Sequence, residues 1–283
     1  MSRAHRGRGS PPRKMKETHS IAHPELWTLQ LAIGDSELQY TLHSESQADS
    51  LISGTVAIAA GEDTVKALSD AVYDTPLLLD DYGRVRIVVH SQHFLLLPAV
   101  TDDDLARTLL LEQFPDADGD VAQFALPRCG VAMVFEVPRG LTAFLKRTFN
   151  APAIVHHLYP LCEHFKAMNA TPGTARMFVN LEARHADLVI FRAGTIVMAG
   201  SFPVHNTTDI TYMVMNAWQT FGLNSESDEL QLIGNRDVRQ QVADELRQFV
   251  NYVMPAIYPF DALRIGSRAV DAPLDLILFA LCE

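Results

Sequence analysis

The chain has 283 residues, of which 48% are hydrophobic, and its mean hydropathy is +0.04. This composition supports a sizeable core in one large domain or two closely packed ones. No apolar run approaches the roughly 18 residues of a membrane span, and the first residues lack the apolar core of a signal peptide, so we expect no membrane contact. Three widely spaced cysteines, Cys129, Cys162 and Cys282, predict free thiols and a cytoplasmic location.

The charge is divided unevenly along the chain. The formal net charge is −11, and residues 1–16 contribute six positive charges and no acid, so the remainder carries about −17. An acidic body repels nucleic acid and membrane surfaces at long range. Residues 1–20 are predicted to form a disordered basic tail. The tail is interpreted either as a nucleic-acid-binding arm at residues 1–16 or, preferably, as a tail without function or an untranslated stretch 1–14 before a start at Met15.

The first half, predicted to span residues 21–172, opens with two strands and a tight turn. Apolar residues alternate with smaller or polar ones over 27–33 and 38–42, and Gly34, Asp35 and Ser36 form the turn between them. Further strands are predicted over 54–59, 84–89, 93–97, 131–137 and 154–155. Helices are predicted over 65–72, from Thr101 to 111, from Pro138 to 149, and over 157–168.

A turn-rich segment at 169–174 precedes the second half, predicted to span residues 173–283. This half opens in the same way, with strands over 177–181, 187–192 and 195–202 and a hairpin tip at Ala193-Gly194. Thr207 or Thr208 is predicted to cap a helix that Gly222 ends. The remaining predicted elements are a strand over 230–233, a helix over 238–249 and a helix over 273–281. Strands followed by helices, twice over, predict an α/β protein with mixed sheets flanked by helices.

The two strand–turn–strand openings resemble those of the sugar kinase, Hsp70 and actin superfamily. The resemblance implies an actin-like ATPase fold in which two RNase H-like halves flank a cleft. In that superfamily, glycines in the first turn of each half let backbone amides approach nucleotide phosphates, and an aspartate holds the magnesium shell. It therefore implies that the cofactor-binding positions of this chain are Asp35, Ser36, Asn180, Glu182 and Gly234.

Both turns depart from the usual Asp-x-Gly-Thr pattern. Gly34 and Asp35 stand in the wrong order, Asn180 occupies the aspartate position, and Glu182 occupies the glycine position. Glu182 would bring a negative charge to a polyphosphate, and two unit charges about 4 Å apart repel by about 4 kcal/mol at an effective dielectric constant of about 20. The adenosine-side loop keeps one glycine, Gly234, where two or more are usual. These departures argue against conventional ATP hydrolysis.

Four segments resemble a bacterial family known as domain of unknown function 3822. They are VFEVPRGLTAFLKRTF, VHHLYPLCEHF, FVNLEARHADLVIFRAGTIVMAGSF and LQLIGNRD, and they lie between about residues 131 and 250. The first 130 residues resemble the family in the order of their predicted elements rather than in their residues. The resemblance implies an actin-like fold with a degenerate nucleotide site, no assigned activity and no catalytic residue.

One dense group of metal-type ligands has another explanation. It comprises His156, His157, Cys162, Glu163 and His164. A helix would place His157 and His164 about 10 Å apart, too far for one zinc ion without a ligand from elsewhere, so packing or capping roles are favoured and no metal site is predicted. No Gly-x-Ser-x-Gly, Walker A or Gly-x-Gly-x-x-Gly motif occurs, and no catalytic residue is predicted.

Three functions remain under consideration. The leading hypothesis is a pseudo-ATPase, a non-enzymatic scaffold that binds an unknown protein partner and needs no cofactor. The alternative is a nucleotide-binding switch that holds Mg-ATP at a non-standard site, where Asp35, Ser36, Asn180 and Gly234 line the site and magnesium neutralises Glu182. The third is nucleic-acid binding through residues 1–16, with a steep salt dependence that deletion of the tail abolishes.

Overall fold

The computed structural model of the chain describes residues 21–59, 63–168 and 173–282. The predicted basic tail, residues 1–20, and most of the predicted break, residues 169–172, lie outside this range. The described residues form three sheets and seven α-helices. Among them, no helix has both the length and the apolar character that crossing a membrane requires.

The elements that precede the predicted break alternate between strands and helices. In chain order they are β1 (Thr28–Ile33), β2 (Glu37–His43), β3 (Ile52–Ala57), α1 (Thr64–Tyr73), β4 (Arg84–Val89), β5 (Phe94–Pro98), α2 (Asp103–Gln113), β6 (Asp120–Leu126), β7 (Val131–Val137), α3 (Leu141–Thr148), β8 (Ala153–His156) and α4 (Leu158–Met168).

The elements that follow the break repeat the opening pattern of three strands and a helix. In chain order they are β9 (Ala175–Leu181), β10 (His185–Arg192), β11 (Thr195–Pro203), α5 (Thr207–Thr220), β12 (Glu229–Gly234), α6 (Arg236–Leu246), β13 (Tyr252–Pro255) and α7 (Leu274–Leu281).

Two five-stranded sheets share one topology. Their strand orders are β3-β2-β1-β4-β8 and β11-β10-β9-β12-β13. In each sheet the first three strands of the half pair antiparallel, and the two later strands add in parallel on the other side of the first strand. The two halves, predicted to be related from their similar first strands and turns, therefore share the strand order of a whole sheet.

A third, antiparallel sheet interrupts the first half. Its order is β5-β7-β6, and its strands lie in the chain between β4 and β8 of the first sheet. Helix α2 packs on this sheet, where Ala106, Leu110 and Val134 form a small buried cluster. The second half has no counterpart among the described residues, so this sheet is what distinguishes the two halves.

The central strands are buried on both faces. All six residues of β1 are buried, and seven of the eight residues of β10 are. Such strands carry long apolar runs because helices or other strands cover both sides. One core cluster contains Phe178, Phe191 and Ile233 of the second sheet together with the apolar residues of the first, so the two five-stranded sheets share a core.

The last helix, α7, returns to the first sheet. Leu276 and Phe279 of α7 form a cluster with Ala32, Val88 and Val155 of that sheet. The Arg86 side chain also donates to the Phe279 carbonyl over 2.6 Å. The final residues of the predicted second half thus pack on the first sheet, while the division between residues 172 and 173 stays a prediction.

Three helices begin elsewhere than predicted. Asp102, not Thr101, caps α2 by accepting from the Leu105 N–H, while the Thr101 hydroxyl donates to the Pro98 carbonyl. Asn206 caps α5 in place of the predicted threonines. Helix α3 starts at Leu141 after Gly140 in a left-handed conformation, so Pro138 stands before the helix and not in its first turn. At α2 and α5 a neighbouring acid or amide caps the helix instead, whereas Gly140 at α3 makes no side-chain capping bond.

The sequence analysis did not predict strands β6 and β13, and it predicted helix α6 to extend too far. Strand β6 is mostly half-buried, so it lacks the clear alternation that marks a strand in sequence. Strand β13 has only four residues and ends at Pro255. Helix α6 ends at Leu246, and Phe249, predicted on its apolar face, is 52% exposed.

Candidate functional site

A cleft of ≈ 2070 Å³ lies where the parallel strands of both five-stranded sheets end. Gly34, His90 and His157, which follow β1, β4 and β8, line it from the first sheet. Asn180 and Gly234, at the ends of β9 and β12, line it from the second. Ligand sites of α/β proteins commonly lie outside the carboxyl ends of parallel strands. The cleft is therefore the candidate functional site.

All five predicted cofactor-binding positions line this one cleft. Asp35 and Ser36 are exposed in the β1–β2 turn, and Asn180 is buried near the end of β9. Glu182 is half-buried in the β9–β10 turn, and Gly234 ends β12. The fold brings the five together, and their binding of a nucleotide stays a prediction.

One backbone amide in each turn is already engaged within its hairpin. The Gly34 N–H donates to the Glu37 carbonyl over 3.1 Å, and the Glu182 N–H donates to the His185 carbonyl over 3.0 Å. A phosphate site needs N–H groups that point at the anion. These two donors would have to leave their hairpins to serve one.

The carboxylate of Glu182 is held in place by its neighbour. The Asn180 side-chain amide donates to Glu182 Oε1 over 3.1 Å and to Asp187 Oδ2 over 3.1 Å. Asn180, which is predicted to occupy the aspartate position, thus holds the carboxylate of Glu182, which is predicted to occupy the glycine position. This arrangement places negative charge in the β9–β10 turn, where the resemblance predicts a phosphate.

Gly234 is explained by a backbone contact. Its φ is 118°, and a Cβ atom there would lie 2.5 Å from the Leu181 carbonyl oxygen. Only glycine tolerates both conditions, because other residues have a side chain at that place. Asn235 then caps α6 by accepting from the Asp237 N–H over 2.9 Å. Contacts within the protein therefore explain both Gly234 and Asn235, without a phosphate bound at the loop between β12 and α6.

The formally charged side chains that line the cleft are mainly acidic. Two arginines, Arg184 and Arg239, stand against six carboxylates, which belong to Asp35, Glu37, Asp118, Glu136, Glu182 and Asp275. One of these carboxylates, Glu136, pairs with His93 at 2.6 Å. Excess negative charge opposes the entry of a polyanion and favours cations.

A buried group of histidines and one aspartate lies beside the cleft, which His90, His157 and His185 line. His157 Nε2 is 2.9 Å from Asp187 Oδ2, and both side chains are almost fully buried. His185 Nε2 lies 3.7 Å from the same oxygen. The ring of His90 stacks on the ring of His157, with centroids 4.6 Å apart. The centroid of the His156 ring lies 4.2 Å from that of His157. The group thus joins residues from both five-stranded sheets.

The pKa values in this group follow from burial and from its charges. Burial raises the pKa of Asp187, but the charge of His157 and its hydrogen bond outweigh burial and leave that pKa below its ordinary value. Burial lowers the pKa of His185 and that of His156. For His90, burial is outweighed by the hydrogen bond and charge of Asp275, which raise its pKa. Asp187 is therefore ionised and His185 neutral at neutral pH.

The metal-type group considered from sequence does not share one site. His156 donates to the Ser91 carbonyl over 2.9 Å, whereas Glu163 lies 3.6 Å from Arg128. All three cysteines are free. In the described part of the chain, one set of three possible ligands comes together, and it combines His157 with His185 and Asp187. Sequence reasoning missed this set, although His185 and Asp187, two apart on a strand, share a face.

The architecture and the cleft define an α/β protein of the actin-like ATPase fold, as predicted. A Bacteroides thetaiotaomicron protein with this fold and of unknown function superposes with a TM-score of 0.79 at 19% identity, covering 93% of this chain and 100% of that one. A chain of the PilM–PilN type IV pilus biogenesis complex superposes with a TM-score of 0.53 at 14% identity, covering 90% and 98% respectively. At these identities the likeness concerns the fold alone.

The sequence itself identifies the family. The chain belongs to a family of proteins of unknown function, DUF3822, whose model matches residues 16–253. The match confirms the resemblance that the four segments carried. No curated protein matches the chain by sequence.

Proposed function

We propose that this protein is a non-enzymatic scaffold of the actin-like fold that acts by binding another protein. The observation that carries the proposal is Glu182, a carboxylate that Asn180 holds in the turn where the superfamily places a phosphate-binding glycine. Each close pair of like charges costs about 4 kcal/mol at an effective dielectric constant of about 20, or nearly three decades in affinity. Nucleotide binding, and with it turnover, is therefore disfavoured at this cleft.

Exposed apolar side chains support a role in protein binding. Of fifteen large apolar side chains that are exposed in the described residues, seven lie within the segment 249–270. They include Ile257, Phe260 and Val270, which are 67%, 82% and 59% exposed. Concentrations of exposed apolar surface are typical of interaction sites. The PilM–PilN structure is itself a complex, which adds a precedent for this fold in protein assembly.

Thermal unfolding with Mg-ATP, Mg-ADP or EDTA tests the nucleotide half of the proposal. A nucleotide at about 100 times its dissociation constant would add about 2.7 kcal/mol to the free energy of unfolding. We expect no change in melting temperature for the wild type. Glu182→Gly serves as a matched variant that removes the opposing carboxylate. A shift with Mg-ATP in the wild type would contradict the proposal.

Capture of proteins from a lysate of the native host tests the interaction half. Ile257→Ser and Phe260→Ser change the exposed apolar segment, whereas Val100→Ser changes a 93% exposed residue elsewhere. We expect the first two variants to lose a specific partner that the wild type and the Val100 variant retain. Equal capture by all four proteins would remove this segment from the proposal.

A nucleotide-binding switch is the second candidate, because the fold gathers Asp35, Ser36, Asn180 and Gly234 around one cleft. In this case magnesium would neutralise Glu182. The switch predicts measurable Mg-ATP binding that Asp35→Ala abolishes. Binding that is absent in the wild type, or unchanged in this variant, would exclude it.

A further inference from the structure

Three buried side chains, two of which line the cleft, place possible metal-ligating atoms close together. One such atom from each of His157, His185 and Asp187 lies within 4.8 Å of the other two. Asp187 Oδ2 is 2.9 Å from His157 Nε2 and 3.7 Å from His185 Nε2. With bonds of about 2.0–2.2 Å, neighbouring ligand atoms of a tetrahedral site lie about 3.4 Å apart. The two distances from Asp187 Oδ2 lie on either side of this spacing, so small side-chain shifts would give the group the dimensions of a site for one small cation.

The two imidazoles have unused nitrogens in a buried place. Within the described residues, His185 Nε2 and His157 Nδ1 have no hydrogen-bond partner, although the two residues are only 9% and 1% exposed. Buried polar atoms are nearly always paired, since an unpaired one loses its hydration without compensation. A cation bound at His185 Nε2 would satisfy a nitrogen that the protein leaves unpaired.

The carboxylate of Asp187 is already positioned by a second layer of polar groups. The Asn180 amide donates to Asp187 Oδ2 and also to Glu182 Oε1. Hydrogen bonds of this kind orient metal-ligating carboxylates and are part of many metal sites. His157 and His185 both line the cleft, so a cation held by three protein ligands would have its open position on that side.

We propose that His157, His185 and Asp187 bind one divalent transition-metal cation, for which Zn²⁺ is the best match. Two imidazoles and one carboxylate are a donor set that zinc uses at sites with an open position, whereas Mg²⁺ prefers oxygen ligands alone. His157 follows β8 of the first sheet, and the other two ligands lie on β10 of the second. The ion would therefore connect the two sheets across the cleft, independently of the scaffold function proposed above.

Calorimetric titration of metal-stripped full-length protein tests the site. We expect ZnCl₂ to bind at one ion per chain with a dissociation constant of about 1 µM or tighter, and MgCl₂ to give no measurable binding. Zinc should raise the melting temperature by several degrees, because the ion links both sheets. Elemental analysis after dialysis counts the bound zinc. No zinc binding by the wild type, or equal binding of magnesium, would overturn the proposal.

Single histidine variants locate the binding. His185→Ala and the more conservative His185→Gln each remove one ligand, whereas His93→Ala removes a cleft histidine that pairs with Glu136 instead. We expect the two His185 variants to weaken zinc binding by about 100-fold or more, and the control to stay within about threefold of the wild type. Circular dichroism confirms that each variant is folded. Unchanged zinc affinity in a folded His185 variant would show that the ion binds elsewhere.

Discussion

Glu163 illustrates how burial and a partial ion pair compete at a single residue. It lies on α4, is 3% exposed, and its Oε1 atom has no hydrogen-bond partner in the described part of the chain. Arg128 lies 3.6 Å from the other oxygen, but its own side chain is 46% exposed. Burial raises the pKa of Glu163 despite this arginine, so ionisation of the carboxyl in the folded protein costs stability.

Glu163→Gln should therefore change how stability depends on pH. An acid whose pKa is raised by folding destabilises the protein as pH rises from its unfolded pKa through its folded one, and costs nothing below both. At pH 7.5 we expect the variant to have a free energy of unfolding about 1 kcal/mol above that of the wild type. At pH 4 the two should agree, as measured by urea unfolding.

Glu112→Gln on α2 is the control for this prediction. It makes the same chemical change at an exposed residue, where ionisation of the carboxyl carries no burial cost. It should follow the wild type at both pH values. If Glu163→Gln were less stable than the wild type at pH 7.5, the Arg128 pair would outweigh the cost of burial.

At the scale of an element, the β10–β11 hairpin combines a well-defined turn with one unfavourable residue. Ala193 and Gly194 have φ values of 48° and 74°, so both loop residues are left-handed, as a two-residue type I′ turn requires. Lys166 of α4 donates to the Gly194 carbonyl and ties the tip to the helix. Alanine pays about 1 kcal/mol for this conformation, whereas asparagine adopts it more readily.

Ala193→Asn should accordingly stabilise the hairpin. We expect the free energy of unfolding to rise by about 0.5–1 kcal/mol, since the substitution relieves the strain and leaves the strands unchanged. Gly194→Ala makes the opposite kind of change, because it introduces a side chain at positive φ. It should lower the free energy of unfolding by about 1 kcal/mol. Chemical denaturation of the three proteins measures both changes. A loss of stability in Ala193→Asn would contradict this account of the turn.

At the scale of the whole molecule, the two five-stranded sheets depend on one another. Phe178 and Phe191 of the second sheet belong to the same core as the first sheet, and α7 at the end of the chain packs on the first sheet. Elements that share a core usually unfold together. The described residues therefore predict one cooperative transition and not two.

Leu276→Ala tests this cooperativity from the end of the chain. Leu276 is fully buried in α7, so the substitution should lower the free energy of unfolding by about 2–4 kcal/mol and shift a single calorimetric transition. Leu263→Ala makes the same chemical change at a residue that is 44% exposed, and should cost about 0.5 kcal/mol or less. Two resolved transitions, only one of them shifted, would show that the sheets unfold separately.

Sequence reasoning recovered most of the elements because buried strands and amphipathic helices leave periodic patterns. Strands β1, β4, β7 and β9 to β12, and the apolar faces of α1 and α5, are periodic enough to be read locally. Sequence reasoning failed where burial or capping depends on residues that are brought close only by folding. Strand β6 has no fully buried face, and the α2 cap fell to Asp102 beside an equally plausible Thr101.

The sequence by itself determined the paired openings and the family, because periodic strands and four characteristic segments are local features. Through the resemblance it also pointed to five residues that line the cleft. Only the tertiary structure decided how the halves share a core and which chemical groups meet in the cleft. His157 and Asp187 are thirty residues apart in the chain, yet β8 and β10 bring them to 2.9 Å. Such a contact depends on how two sheets pack, and no local pattern of residues encodes that distance.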